Sequence, residues 1–376
     1  MPLTNTVVST SAGLLGMLPK GLVLLISIGF AAGVINLSKK QVLVRELHSL
    51  ENLAHCDTVC LDKTGTLTEG KLSVEKVFAE KAGIKNADLY IDMSEVADAD
   101  IERVANQFTV FGRVTPKQKK QLIAAMQKKG HKVAMTGDGV NDLLAMRQAD
   151  CSAAMGAGCD VAKQTAQLVL LNSDFSVLKD VISEGRRVIN NLTKSAGVFF
   201  IKTIYSILLC ILCLAFNVDF PFIPIQITLI DAVIEAVPAF FMSFERNDQK
   251  CADSFLQTAV RAALPNGIVV FVCCAVLFVI SNRIGLDRAQ SSLLMYISVG
   301  FISLAGVIKA SLPFNLLRGF LAIASVLGFV GAVVIFSGLL QLPHLSAMGA
   351  MVLPDVILLG LVLALCIKIP KSKAVC

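Results

Sequence analysis

Seven apolar runs, each long enough for roughly 20 residues of helix, punctuate the chain at 11–37, 193–216, 222–244, 262–281, 291–311, 318–338 and 351–368. The first is interrupted by Leu18-Pro19-Lys20-Gly21. Proline removes a backbone donor and glycine loosens the helix, so this run is expected to be kinked or partly unwound. Carbonyls freed at such a break are a common way to build an ion site. Between the first and second runs the rhythm changes. From about 52 to 187, short apolar strands are predicted at 59–61, 72–77, 90–93, 108–114, 132–135, 151–155 and 168–171. They alternate with predicted helices at 81–87, 98–107, 116–129, 142–148 and 162–167. That alternation predicts an α/β unit with a parallel, doubly wound sheet.

The pattern divides the chain into a first span at 1–37, a charged stalk at 38–51 (Lys39, Lys40, Arg45, Glu46, Glu51), a water-exposed unit at 52–187, and six further spans within 188–376. Composition agrees: 55% of the 376 residues are hydrophobic and 16% charged, where a soluble domain has about 25% charged. A multi-span α-helical membrane protein is expected, with lipid as its surroundings. The net charge of +6 does not call for nucleic acid, because Lys and Arg cluster beside the apolar runs as cytoplasmic flanks do. That bias puts the α/β unit and the C-terminus in the cytoplasm. Eleven cysteines lack the spacing of a disulfide framework. Cys210-Ile-Leu-Cys213 has the spacing of a metal or redox pair, but it lies inside an apolar run and reads as one turn of small apolar residues. No cleavable signal peptide is evident.

The candidate chemistry begins at Cys60-Leu61-Asp62-Lys63-Thr64-Gly65-Thr66-Leu67-Thr68. A buried strand would deliver Asp62 to a loop at its C-terminal edge, where open α/β sheets place their sites. A carboxylate there can attack a phosphoryl group, while Lys63, the loop amides and the Thr64 and Thr66 hydroxyls hold the phosphate oxygens. Taken alone, the segment also reads as a strand followed by a polar turn. Two further strand ends join it in order: Phe111 to Lys119, and Thr136-Gly137-Asp138-Gly139-Val140-Asn141-Asp142.

Asp62 to Thr68 resembles the phosphorylation motif of P-type ATPases, whose phosphorylation domain has the haloacid-dehalogenase-like, Rossmann-like fold. The resemblance continues through Ser173-Asp174-Phe175, Glu184-Gly185-Arg186-Arg187 and the downstream spans, covering nearly the whole chain. It implies Asp62 as nucleophile, with Mg²⁺ as cofactor on Asp62, Asp138 and the Thr64 carbonyl, and ATP as substrate. It implies Lys119 as the charge that neutralises phosphoryl oxygens. Thr136, Gly137 and Gly139 would shape the loop, and Asn141 and Asp142 would orient it or the phosphate. Pro19-Lys20-Gly21-Leu22, in place of a Cys-Pro-Cys motif, resembles the bacterial calcium- or magnesium-transporting branch and implies a calcium-like divalent cargo across a bacterial plasma membrane. Phosphatases of this fold carry a second Asp two positions after the nucleophile, where this chain has Thr64.

The departures are as informative. Only 69–110 separates the first motif from the returning strand, too little for the family's nucleotide-binding domain. No adenine-binding Lys-Gly-Ala segment, extra Ser/Thr-Gly-Asp strand end or actuator Thr-Gly-Glu loop is found, and the chain resembles the family from just before its fourth span. By this reading the chain alone is a truncated, incomplete pump. An inactive remnant, a partner subunit completed by another chain, and a membrane-tethered phosphatase stay open. Within the membrane, Asp231 and Glu235 would share a helix face. Asp231 matches a carboxylate position of calcium pumps, and Lys20 stands where those pumps carry Glu. Lys20 would repel a divalent cation, or pair with Asp231 or Glu235 as a built-in counter-charge. Lys202 and Lys309 are expected to snorkel toward an interface.

Overall fold

Small and β-branched residues in three short, fully buried strands set the centre of the water-exposed unit. The computed structural model describes residues 3–62, 86, 88–251, 254–312 and 314–366, with side chains from Val7 onward. The strands are β1 (Val42–Val44), β2 (Thr58–Leu61), β3 (Tyr90–Asp92), β4 (Val110–Gly112), β5 (Val133–Gly137), β6 (Cys151–Met155) and β7 (Leu168–Leu170). Five form one sheet in the order β1-β7-β6-β5-β2. Four of these run parallel, with Leu61 beside Thr136 and Ala153 beside Leu168. The expected strand at 72–77 and helix at 81–87 lie outside the described residues.

Successive residues of β5 and β6 face opposite layers. Ala134, Cys151, Ala153 and Met155 join Leu50, Leu53 and Val181 in one apolar core, while Val133, Met135 and Ala154 join Ile123, Met146 and Ala162 in another. Helices therefore cover both faces, as buried parallel strands require.

Two expectations about this unit need correction. The sheet is mixed, because β1 pairs antiparallel with β7, Val42 lying opposite Leu170. Its three residues sit within the expected stalk, and the helix Ser49–His55 follows them. The charges that flank Val42–Val44 masked the strand. Arg45 does not mark solvent: its guanidinium donates to the carbonyls of Lys163 (2.8 Å), Gln164 and Ala166 at the end of the helix Asp160–Thr165. Those carbonyls have no intrahelical donor and accept from basic side chains. Second, β3 and β4 leave the main sheet and pair with each other in parallel. The compact unit comprises Phe30–Ile189 with Arg246–Cys251, wider than the expected 52–187.

The second unit comprises Met1–Gly29, Asn190–Glu245 and Ala252–Cys376. Among the described residues, seven segments are long and apolar enough to cross a membrane: Val7–Lys39, Phe175–Phe216, Pro224–Met242, Phe255–Arg283, Arg288–Ala310, Leu316–Ile335 and Ala347–Cys366. The first breaks as the sequence predicts, with one helix ending at Met17 and the next starting at Lys20. A large apolar core, including Tyr205, Tyr296, Leu294 and Phe329, fills the unit. The third segment departs from expectation. Asp231–Ala236 is a turn of π-helix between Pro224–Ile230 and Val237–Met242. Pro238 accounts for it: the ring clashes with the carbonyl four residues back, that of Ile234, and supplies no N–H to it. A wider turn moves that carbonyl away, and such single turns recur at functional sites. Cys210 and Cys213 are free thiols, and the Cys213 thiol donates to Asp219 O at 3.6 Å.

Candidate functional site

Asp62 leaves the end of β2 at the sheet's C-terminal edge, and the ladder continues one step beyond the strand, with Asp62 N–H donating to Thr136 O at 3.4 Å. Thr136 is buried and returns a bond, its hydroxyl donating to Cys60 O at 3.4 Å. The two strand ends are thereby tied side by side. Burial pushes the adjacent Cys60 thiol up to about 11, so at neutral pH it is no competing nucleophile.

After β5 the chain turns through a single 3₁₀ turn at Val140–Asp142 that folds Asp142 back under the strand end. Gly137 permits this. A Cβ there would stand 2.5 Å from the Asp142 Cβ, a distance side chains do not adopt. Asp142 is 1% exposed as a result. The Asp138 carbonyl accepts from Cys159 N–H at 2.8 Å, and a Cβ on Gly158 would lie 2.7 Å from that carbonyl. The turn after β6 thus backs the Asp138 loop.

Lys119 comes from the first turns of the helix Pro116–Lys128. Thr115 caps that helix: its hydroxyl accepts from Gln118 N–H (3.3 Å) while the Gln118 side chain accepts from Thr115 N–H (3.0 Å). This reciprocal box, with proline at the first helical position, fixes where the helix starts. Lys119 Nζ then donates to Asp62 Oδ1 at 2.6 Å and to Asp142 Oδ1 at 2.7 Å. Burial works to lower the Lys119 pKa, but the hydrogen bonds to Asp142 and Asp62 outweigh it and hold the ammonium above its ordinary value.

Asp62, Asp138 and Asp142 each offer a carboxylate oxygen within 4.8 Å of the others. Three hard oxygens at that spacing suit a magnesium-sized cation. The Asp138 carboxyl is held above its usual range, first by burial and then by the charges of Asp142 and Asp62. Of the site residues read from the sequence, Asp62, Lys119, Thr136, Gly137, Asp138, Gly139 and Asp142 come together here. Asn141 is exposed and stays outside the Lys119 network. Lys63, Thr64 and Thr66 lie outside the described residues.

In the membrane-spanning unit, Asp231 is ion-paired with Lys202. Lys202 is 0% exposed and Glu235 2% exposed. Lys20 is exposed, so the counter-charge on Asp231 is Lys202 and not Lys20. Lys202 does not snorkel, and Lys309 Nζ, in the last turn of the helix Arg288–Ala310, donates to the Ala364 carbonyl at 2.8 Å. Depth was the available signal for Lys202, which lies roughly 20 Å from the helix end at Phe216 at 1.5 Å per residue. The break at Pro19 leaves the Met17 carbonyl accepting from the Thr203 hydroxyl at 3.2 Å.

A covered, mostly parallel sheet with aspartates at two adjacent strand ends, on a chain with seven membrane-capable segments among its described residues, defines a multi-pass membrane protein with a haloacid-dehalogenase-like domain. The model of the haloacid dehalogenase-like hydrolase family matches residues 81–150. The chain is 30% identical to the probable cation-transporting ATPase exp7 of Streptococcus pneumoniae, over 94% of this chain and 67% of that protein. It is 27% identical to the calcium-transporting ATPase CtpE of Mycobacterium bovis, over 89% and 63%. A calcium-transporting ATPase of Bacillus subtilis is 35% identical over 41% and 17%. The chain belongs to the P-type cation-transporting ATPases. It spans about two thirds of the length of exp7 and somewhat less of CtpE.

Proposed function

We propose that this chain carries the phosphoryl-transfer step of cation transport, with Asp62 as the phosphoacceptor. The observation that carries this reading is the Lys119 ammonium shared between Asp62 and Asp142 beside Asp138. An Asp62 oxygen attacks the terminal phosphorus of ATP, the bond to ADP breaks, and ADP leaves with its electron pair. Water later cleaves the acyl phosphate and returns the carboxylate. Lys119 offsets charge on the transferred group, a preorganised electrostatic effect. Asp142 holds Lys119 in place. Asp62 and Asp138, with the Thr64 carbonyl, would hold Mg²⁺, which supplies charge neutralisation to the phosphoryl oxygens. Phosphorylation would be coupled to cation movement at the Pro19 break and the Asp231–Glu235 turn.

A second reading is favoured by one observation. The span matched to exp7 covers 520 positions, more than the 376 residues of this chain, so the relative carries internal positions with no counterpart here. On this reading a partner chain presents the nucleotide to Asp62.

Acid-stable labelling tests both. Label from ATP or from acetyl phosphate that disappears in Asp62→Asn supports the phosphoacceptor role. Label from acetyl phosphate alone supports the partner-chain reading. Absence of label from either donor overturns the chemistry.

A further inference from the structure

The membrane-spanning unit holds a buried charge that phosphoryl transfer does not use. Lys202 sits in an apolar stretch of the helix Leu178–Phe216, wholly buried, with its ammonium on Asp231 Oδ1. The next residue, Thr203, donates its hydroxyl to Met17 O. That carbonyl closes the helix Leu3–Met17, and the break at Pro19 leaves it without an intrahelical donor. Carboxylates and carbonyls freed at a helix break are the two kinds of hard oxygen a metal cation requires in a membrane. Adjacent residues of one helix occupy one of each. Glu235, in the same π turn as Asp231, is the counterpoint: its Oε2 is buried with no hydrogen-bond partner among the described residues.

We infer that Lys202 is a specificity-determining residue, a tethered cation that fills the Asp231 position and makes the pathway reject divalent cations. The inference rests on the reading of Asp231 and Glu235 as the ion pathway. Its logic is charge balance. Two carboxylates and one ammonium leave one negative charge, which a single positive charge neutralises. A divalent ion would leave an excess positive charge in an apolar core, where an uncompensated charge is costly. It would also meet the Lys202 ammonium as a repulsive neighbour, the means by which sites exclude a competing ligand. Lys20, exposed at the break, adds to the positive field felt by Asp231. The calcium-like cargo expected from the Pro19-Lys20-Gly21-Leu22 resemblance is therefore not what this resting site accepts.

The test is equilibrium binding of radioactive calcium to the full chain in lipid nanodiscs, without nucleotide. Wild-type protein is expected to show no calcium binding that depends on Glu235, so Glu235→Gln leaves the isotherm unchanged. Lys202→Met should bind calcium roughly tenfold tighter or more, the scale on which buried charge pairs act. Adding Glu235→Gln should abolish that gain, and Lys202→Arg should behave as wild type. Because Lys202→Met strips Asp231 of its partner, Lys202→Gln, which keeps an amide donor, is run beside it. Wild-type calcium binding that Glu235→Gln removes overturns the proposal without any lysine variant. So does the absence of tighter binding in folded Lys202→Gln. Phosphate labelling at Asp62, measured in the same preparations, separates the two readings. Label without the calcium shift sinks this proposal alone, and the shift without label sinks the phosphoryl-transfer reading alone.

Discussion

Lys119 Nζ stands 2.6 Å from Asp62 Oδ1, so the end of β2 is held by a cation delivered from a different strand-to-helix junction. The same ammonium reaches Asp142, and both partners lie largely out of solvent. Replacing it exposes three carboxylates to one another at short range. Lys119→Met should lower phosphate labelling of Asp62 by about 100-fold, the usual effect of deleting one preorganised electrostatic group. It should also lower the unfolding midpoint. Labelling within a factor of two of wild type would remove Lys119 from the chemistry.

Gly137 and Gly139 look equivalent in the sequence and are not equivalent in the structure. A methyl group on Gly137 meets the Asp142 side chain at 2.5 Å, whereas one on Gly139 finds only Asn141 N at 3.9 Å. Gly139 has φ −119°, open to any residue. Gly137→Ala should cost about 1–3 kcal/mol, as overpacking does, and Gly139→Ala should leave the unfolding midpoint within error. Equal midpoints for the two variants would contradict the packing.

Magnesium should stabilise the protein in a pH-dependent way. The Asp138 carboxyl is raised by burial and by Asp142 and Asp62. The folded state therefore binds this proton more readily than the unfolded chain, and ionised Asp138 costs stability above its raised pKa. A divalent ion relieves that cost but must displace the proton below it. The magnesium-induced rise in melting temperature should be largest at neutral pH and fade on acidification. Asp138→Asn should shrink the rise at neutral pH. A rise independent of pH would rule out Asp138 as a ligand.

Asp150 should anchor acid stability. Burial raises its pKa, but Lys132 Nζ (2.8 Å), Gln127 Nε2 (2.8 Å) and Val133 N–H (3.0 Å) prevail and hold the carboxyl below its ordinary value. The stability it contributes is full above the unfolded-state pKa and is lost as pH falls through the folded one. Asp150→Ala should cost about 1–3 kcal/mol at neutral pH, because it leaves partly buried donors unpaired. The cost should shrink in acid, and a constant cost across pH would disprove the ionic origin.

Local features were legible in the sequence and long-range ones were not. The break before Lys20, the helix from Pro116 and strand β5 each follow from a few adjacent residues, so their physics is readable in place. Lys202 is different. Its partner lies 29 positions away, and although its depth in the apolar run argues against a surface position, nothing in that run names Asp231. Strand β1 was hidden for the same reason, since Val42–Val44 gains its identity only beside β7. The π turn escaped notice because a four-residue spacing of acids suits an α-helix equally well. The mutual approach of Asp62, Asp138 and Asp142 was expected from the family motif. The role of Gly158 in backing Asp138 carried no signal of its own.

The π turn at Asp231–Ala236 holds one residue more than a regular helix would need to cover the same rise. Deleting one residue within that turn would therefore restore a continuous α-helix and leave Ala239 and Met242 on their inward-facing seam, as Ile227 and Ile230 are on theirs. The third membrane segment is in effect two helices joined by a turn with one residue to spare. Both acids sit in that turn, so their angle can change without disturbing the packing of the helix on either side.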